Sequence, residues 1–286
     1  MGKQGELKER VATLDEIGGI MNAMKNLALL ETHKLAVFLD TQRRAVISIE
    51  AAAQDFLGFY SHIYSLPDAL QQIWIVIGSE RSFCGDFNDA LVQYLNVSAP
   101  MEGTLLLAVG SRLETKLHKD ARIAAFVKSH SVVEEVQATL LHLVEVLNKM
   151  QQLEPARIAC IKALYYDDES GQITLRQLLP LAVPKLKPVY AHPPLLNLEP
   201  EQVLSHLTDQ YLYAALHEVF YSSLMVENHM RLEHMNRAIN RLEKDVAGLR
   251  LRYNRLRQEE IIEEIEIIML SAEALTATDE SGSKIT

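Results

Sequence analysis

Apolar positions follow two different rhythms along the chain. Near the C-terminus, Met235, Ile239, Leu242, Val246, Leu249, Tyr253 and Leu256 succeed one another at intervals of 4, 3, 4, 3, 4 and 3. That heptad spacing predicts a helix whose apolar stripe faces a partner helix. After Leu256 the rhythm slips by a residue and restarts at Ile261, Ile265, Ile268, Ala272 and Leu275. The slip lies in Arg257-Gln258-Glu259-Glu260 and is expected to disturb supercoiling there. Leu204, Leu207, Tyr211 and Ala214 begin the same kind of stripe upstream. The N-terminal segment matches more loosely through Leu7, Val11, Leu14, Ile17, Met21, Met24 and Ala28, continuing with Leu35 and Phe38. Gly18-Gly19 interrupts it, marking either a kink or a close backbone approach.

The helix breakers are confined to the middle. All nine prolines lie between Pro67 and Pro200. A proline costs roughly 3 kcal/mol inside a helix, so the two ends are free to form long ones. The reading is an N-terminal coiled-coil helix over 1–66, a central domain over 67–200, a C-terminal coiled-coil helix over 201–276 and a disordered tail over 277–286. A single helix over 201–276 is roughly 110 Å long at 1.5 Å per residue. A compact globule of this chain length is about 50 Å across. Such a helix must protrude, and residues 1–66 are the longest other proline-free stretch available to pair with it. A compact helical bundle, broken at Ser222-Ser223 and Gly248, is the alternative that periodicity leaves open.

Between the ends the rhythm changes to short apolar runs and amphipathic stretches. Ile73–Ile77, Leu105–Val109 and Arg122–Val127 read as strands, with helices over Asp89–Leu95 and Arg112–His118 between them. Ser131–Leu153 reads as a helix capped by Ser131 with Glu134 three residues on. Arg157–Tyr166 and Gln172–Leu179 complete the sheet as a hairpin around Asp167–Gly171. Strands alternating with helices give an α/β, Rossmann-like central layer with some parallel pairing.

Composition narrows the chemistry. The 286 residues are 48% hydrophobic and 23% charged, too apolar for disorder. The formal charge of −10 argues against a nucleic-acid partner, which favours a basic balance. Two cysteines, Cys84 and Cys160, form no disulfide framework, so a reducing, intracellular compartment is expected. No apolar run approaches the roughly 18 residues that span a bilayer, and direct membrane insertion is not expected. There is no Walker A loop, no G-x-G-x-x-G after a strand and no H-E-x-x-H, so neither cofactor nor metal is implied. His229 and His234, five apart, share no helix face. The best catalytic candidate is Cys84, placed between a strand and a helix where it could act as a nucleophile. It defines the alternative reading, a cysteine-dependent α/β enzyme with helical oligomerisation arms. From Arg231 to Arg257 the charge is basic (Arg231, Arg237, Arg241, Lys244, Arg250, Arg252, Arg255, Arg257), whereas six acids and no base follow from Glu259 to Glu273. The sign changes where the register slips.

Three blocks carry a resemblance. They are Glu227-Asn228-His229-Met230-Arg231 with Tyr253-Asn254-Arg255-Leu256-Arg257-Gln258 and Ile265-Glu266-Ile267-Ile268; Ala23-Met24 in the N-terminal segment; and Ser79-Glu80-Arg81-Ser82-Phe83-Cys84-Gly85-Asp86-Phe87-Asn88. In this order and near this spacing they resemble the gamma subunit of F-type rotary ATP synthases. The resemblance implies two terminal helices wound as a long antiparallel coiled coil with the α/β domain at its base. It implies a rotor shaft that performs no bond chemistry. Such a shaft turns inside a ring of alpha and beta subunits, while its foot rests on the membrane c-ring beside the epsilon subunit. The expected place is peripheral, on the cytoplasmic face of a bacterial or archaeal inner membrane.

Site residues follow from the same resemblance. Met24, Arg231, Arg250, Arg252, Arg255, Arg257, Gln258, Ile262 and Glu264 are expected to face the alpha/beta ring. Arg257, Gln258 and Glu264 would meet its catch loops, and the arginine cluster the acidic levers of the beta subunits. Glu199, in Leu198-Glu199-Pro200, resembles the family's Y-E-P turn near the c-ring. The chain departs from the family pattern at several points. Ile262 replaces a threonine, Ser82 and Asp86 replace glycines, and Lys25-Asn26 follow Met24. These mark a divergent member, whose coupling ion, proton or sodium, is chosen in the c subunit.

Overall fold

The computed structural model describes residues 3–63, 71–129, 131–153, 158–181 and 192–282. Two units result, one formed by Met1–Lys25 with Met235–Thr286 and the other by Asn26–His234. The two compact units divide within the long helices, after Lys25 and before Met235. Helix α1 spans Lys3–Tyr60 and is followed by a 3-10 turn over Ser61–Ile63. Helix α5 spans Pro200–Gly282, passing Ser222-Ser223 and Gly248 without a break. The bundle alternative, which needs those breaks, falls. The helix also continues beyond 276, because no proline or glycine intervenes before Gly282. Of the tail expected over 277–286, residues 283–286 lie outside the described residues.

Asn26–His234 is built on a five-stranded sheet. Its strands are β1 (Gln71–Ile77), β2 (Thr104–Val109), β3 (Ile123–Val127), β4 (Ile158–Tyr166) and β5 (Ile173–Leu179). Their spatial order is β3-β2-β1-β4-β5. The first four run parallel, and β5 joins β4 as an antiparallel hairpin. The turn closes at Gly171, where φ is +66° and the N–H donates to Asp167 O. The crossovers are α2 (Phe87–Ser98), α3 (Ser111–Leu117) and α4 (Val136–Leu153).

Period-2 alternation sorts the strand residues between two cores. Ile73, Ile75, Ile77, Leu107, Val109, Ala163 and Tyr165 face α4 and the segments of α1 and α5 that carry Leu35, Leu39, Val46, Ala215, Val219 and Phe220. Trp74, Val76, Leu106, Ala108, Leu164 and Tyr166 face α2 and α3 through Phe87, Leu91, Leu95 and Leu113. Burial on both faces is why β1 reads as an uninterrupted apolar run. It is also why the heptad rhythm fades upstream of Met235, since Val219 to Val226 pack on a sheet and are buried throughout.

The expected capping box of α4 does not form. Val132 stands at the cap without a side-chain bond, and a 3-10 turn over Val133–Glu135 precedes the helix. Glu134 instead pairs with Lys34 at 2.7 Å, and Glu31 of α1 accepts the Val133 N–H at 3.1 Å. A tertiary carboxylate has replaced the local cap.

In the other unit, α1 and α5 pair antiparallel: Gly18 meets Leu242, Asp15 meets Arg250, and Leu7 lines a groove with Leu256. All seven expected seam positions of α5 are buried or half-buried. On α1 the seam passes through Leu7, Val11, Leu14, Gly18 and Met21, with Ile17 41% exposed. Gly18 thus takes the place expected for Ile17, because it alone keeps the 4-3-4-3 spacing. The close backbone approach expected at Gly18-Gly19 is not found: α1 runs through both without a break, a Cβ on Gly18 would meet the Leu242 side chain at 3.4 Å, and one on Gly19 would meet nothing within 4 Å. Among the described residues nothing covers the expected restart at Ile261: Ile261, Ile262, Ile265, Ile267, Ile268, Met269 and Leu270 are between 45% and 67% exposed.

Candidate functional site

The basic stretch of α5 separates into two populations. Arg250 Nη2 donates to Asp15 Oδ2 of α1 at 2.7 Å, an exposed pair that ties the two helices. Arg252 and Arg255 line an open groove with Glu6, Leu7 and Leu256. Arg252, Arg255, Arg257, Gln258 and Glu264 are all exposed, and Ile262 is 55% exposed. Met24 is half-buried on α1.

Arg231 differs from all of these. It is 5% exposed, and its guanidinium donates to Glu227 Oε1, to Asn228 Oδ1 at 2.7 Å and to Ser82 O at 3.5 Å. It is a buried internal cross-link from α5 to the loop after β1. The i, i+4 spacing of Glu227 and Arg231 is the signal that could have shown this in the sequence. Burial pushes the Glu227 carboxyl up from its ordinary value, and Arg231 opposes that shift.

The loop after β1 is held by its own side chains. Asn88 Oδ1 accepts the Ser79 N–H at 3.0 Å, and its Nδ2 donates to Ser79 Oγ at 2.8 Å. Glu80 receives the N–H groups of Ser111 and Ser129 at 2.9 and 3.1 Å and the Ser111 hydroxyl at 2.6 Å. A carboxylate of the chain thus occupies the carboxyl edge of the parallel strands, where doubly wound sheets bind ligands. Gly110 has φ +106°, and a Cβ there would stand 2.7 Å from Ser79 O, so the backbones need that glycine.

Cys84 lies 3% exposed in this lattice, its thiol 3.3 Å from Ser79 Oγ. Burial pushes the thiol up from its ordinary value, which disfavours the thiolate that a nucleophile requires. Its bonded neighbours are Ser79, Arg81 and Asn88, none of which is a base. The enzyme alternative loses its one candidate. Among the described residues, no group of three His, Cys, Asp or Glu side chains is placed to hold a metal ion.

Glu199 is exposed at the N-terminus of α5, where its carbonyl accepts the Val203 N–H at 3.0 Å. Pro200 at the first helical position starts the helix with a fixed φ and no orphaned donor.

Comparison with known proteins gives a consistent result. The sequence model of the ATP synthase family matches residues 3–275. The ATP synthase gamma chain of Clostridium botulinum (strain Kyoto / Type A2) is 22% identical over 278 residues, covering 94% of this chain and 96% of its own. That of Azobacteroides pseudotrichonymphae is 22% identical over 288 residues, covering 94% and 98%. The fold resembles a chain in the rotor of the Euglena gracilis mitochondrial ATP synthase, with a TM-score of 0.60 at 14% identity over 91% of this chain and 99% of that one. The long terminal helices, the five-stranded sheet and the match along the sequence agree: the chain belongs to the ATP synthase gamma-subunit family.

Proposed function

We propose that this chain is the central rotor shaft of an F-type ATP synthase and performs no bond chemistry of its own. The antiparallel pairing of α1 with α5, sealed by seven successive seam positions, supports this reading most strongly. A shaft has to transmit torque without unwinding, and a continuous seam supplies that stiffness. Its asymmetry gives the catalytic beta subunits different conformations in turn, so ion-driven rotation of the c-ring changes their nucleotide affinities.

Alpha and beta subunits form the ring around the shaft in this proposal, and epsilon and the c-ring bind the foot. Arg252, Arg255, Arg257, Gln258, Ile262 and Glu264 face the ring, together with Met24. Arg257 and Gln258 supply donors for carboxylate and carbonyl partners. The exposed isoleucines beyond Arg257 are covered by the ring. Glu199 faces the polar loops of the c-ring. The complex sits on the cytoplasmic face of a bacterial inner membrane. Bacterial relatives support that location, and no helix among the described residues is long and apolar enough to cross a membrane.

The test is the double variant Arg257→Ala/Gln258→Ala in the reconstituted complex. Loss of coupling between ATP hydrolysis and ion pumping, with the melting of the sheet domain unchanged, is the expected result. Unchanged assembly, turnover and coupling would refute these contacts.

A further inference from the structure

A small, partly open cavity lies where α5 crosses the carboxyl ends of the parallel strands. Ile77, Gly78, Ser129, Val136, Phe220, Ser223, Leu224 and Glu227 line it. Its volume is about 10 Å³, on the measure in which a single water needs about 10–15 Å³. The lining is mixed: three aliphatic side chains and one aromatic ring against two serines, a glutamate and a glycine.

Two polar groups converge there. Ser223 is 2% exposed, and its Oγ has no hydrogen-bond partner. A helical serine can bond back to the carbonyl four residues earlier, and this one does not. Glu227, one helical turn on, is 4% exposed, and Arg231 engages its Oε1. An ionised carboxylate has acceptor capacity for more than this one donor. Burying a hydroxyl without a partner destabilises a fold, so a fold that keeps a serine here needs something to satisfy it.

We infer that this cavity is a binding site for one structural water, which bridges the Ser223 hydroxyl and the Glu227 carboxylate. The water accepts or donates at Ser223 and donates to Glu227, so the buried Glu227–Arg231 pair is solvated from within. Burial alone pushes Glu227 toward its neutral form, and an internal donor counteracts that. The joint between α5 and the strand ends is therefore hydrated, unlike the apolar contacts on either side of it.

Two measurements test this. A map of the assembled complex that resolves buried solvent should show one peak within hydrogen-bonding distance of Ser223 Oγ and the Glu227 carboxylate. A map that resolves other buried waters but shows nothing here overturns the inference. The second measurement is the sign of a substitution in the full chain. Ser223→Val fills the cavity with a methyl group. If a water is displaced, the melting temperature falls by about 2–4 °C; if the cavity is dry, it stays or rises, and the inference fails. Should the valine variant not fold, Ser223→Ala gives the same comparison: loss of the peak's serine ligand with a lower melting temperature supports the site, and an unchanged or higher one overturns it.

Discussion

A Cβ placed on Gly18 would stand 3.4 Å from Leu242 Cδ2, so the paired helices meet there with backbone against side chain. That distance is ordinary van der Waals contact for a methyl group but leaves no room for more. Gly18→Ala should stabilise α1 by up to about 1 kcal/mol, the helix-interior cost of glycine. Gly18→Leu should instead overpack the seam and destabilise by about 1–3 kcal/mol. Thermal melts of the two variants check this, and a leucine variant more stable than the alanine one would contradict the seam placement.

Arg176 of β5 binds Glu218 of α5 at 2.7 Å and Glu50 of α1 at 3.2 Å, joining both long helices to the sheet edge. Arg43 adds Glu169 at 3.2 Å, and Asp168 in turn bonds the Ser222 hydroxyl at 2.7 Å. Removing one partner of a largely buried pair leaves uncompensated charge, which costs about 3–5 kcal/mol when burial is complete. Because Arg176 keeps 23% side-chain exposure, Arg176→Ala should fall at or below the lower end, near 3 kcal/mol. Denaturant unfolding monitored at Trp74 provides the measurement, and a loss under 1 kcal/mol would remove this network from the account.

Asp120 and Arg122 give a defined pH dependence. Arg122 Nε and Nη2 donate to the two oxygens of Asp120 at 3.0 and 2.6 Å, and Nη1 donates to Ala99 O at 3.1 Å. The guanidinium holds the Asp120 carboxyl below its ordinary value. A depressed folded-state value means the stabilisation is fully present above the unfolded value near about 3.9. It is lost as the pH falls through the lower, folded value. Asp120→Asn should therefore lower stability at neutral pH, by about 1.5–3 kcal/mol for charge-assisted bonds, and the gap to the parent should close in acid. A gap that persists below pH ~2 would show that packing, not charge, is the cause.

The arginines of α5 should separate by function as they do by geometry. Arg250→Gln breaks an exposed pair with Asp15 and should cost under about 1 kcal/mol of helix pairing. Replacing Arg252, Arg255 and Arg257 together by glutamine should leave the melt unchanged and weaken coupling in the complex. That weakening should be largest at low ionic strength, where exposed charges are least screened. Equal effects of the single and triple changes on coupling at every salt concentration would refute the division.

Much of this architecture is legible in the residues, because periodicity reports which face is covered. The α5 seam from Met235 to Leu256 is readable since a single partner helix lies along it. The strands are readable because Ile73–Ile77 and Leu105–Val109 are buried on both faces. Long-range substitutions for local rules are not readable in the same way. Ser131 with Glu134 spells a cap, yet Glu31, a hundred residues away, accepts the N–H in question. Arg231 belongs to a basic run in the sequence, but folding turns it inward onto Glu227. Ile17 outranks Gly18 on hydrophobicity, and only the geometry of the seam reverses that order. Ile261 to Leu275 read as a second seam because hydrophobicity shows the need for a cover without showing who supplies it.

The most direct test is rotation itself. Val97 is 88% exposed on the sheet domain, whereas Cys84 is buried and Cys160 half-buried, so Val97→Cys gives a selectively reactive label site. With the alpha/beta ring fixed to a surface and a probe attached there, ATP should drive the probe in one direction, with one dwell for each catalytic subunit. Sustained ATP hydrolysis by the assembled ring with a stationary or randomly moving probe would contradict the shaft assignment.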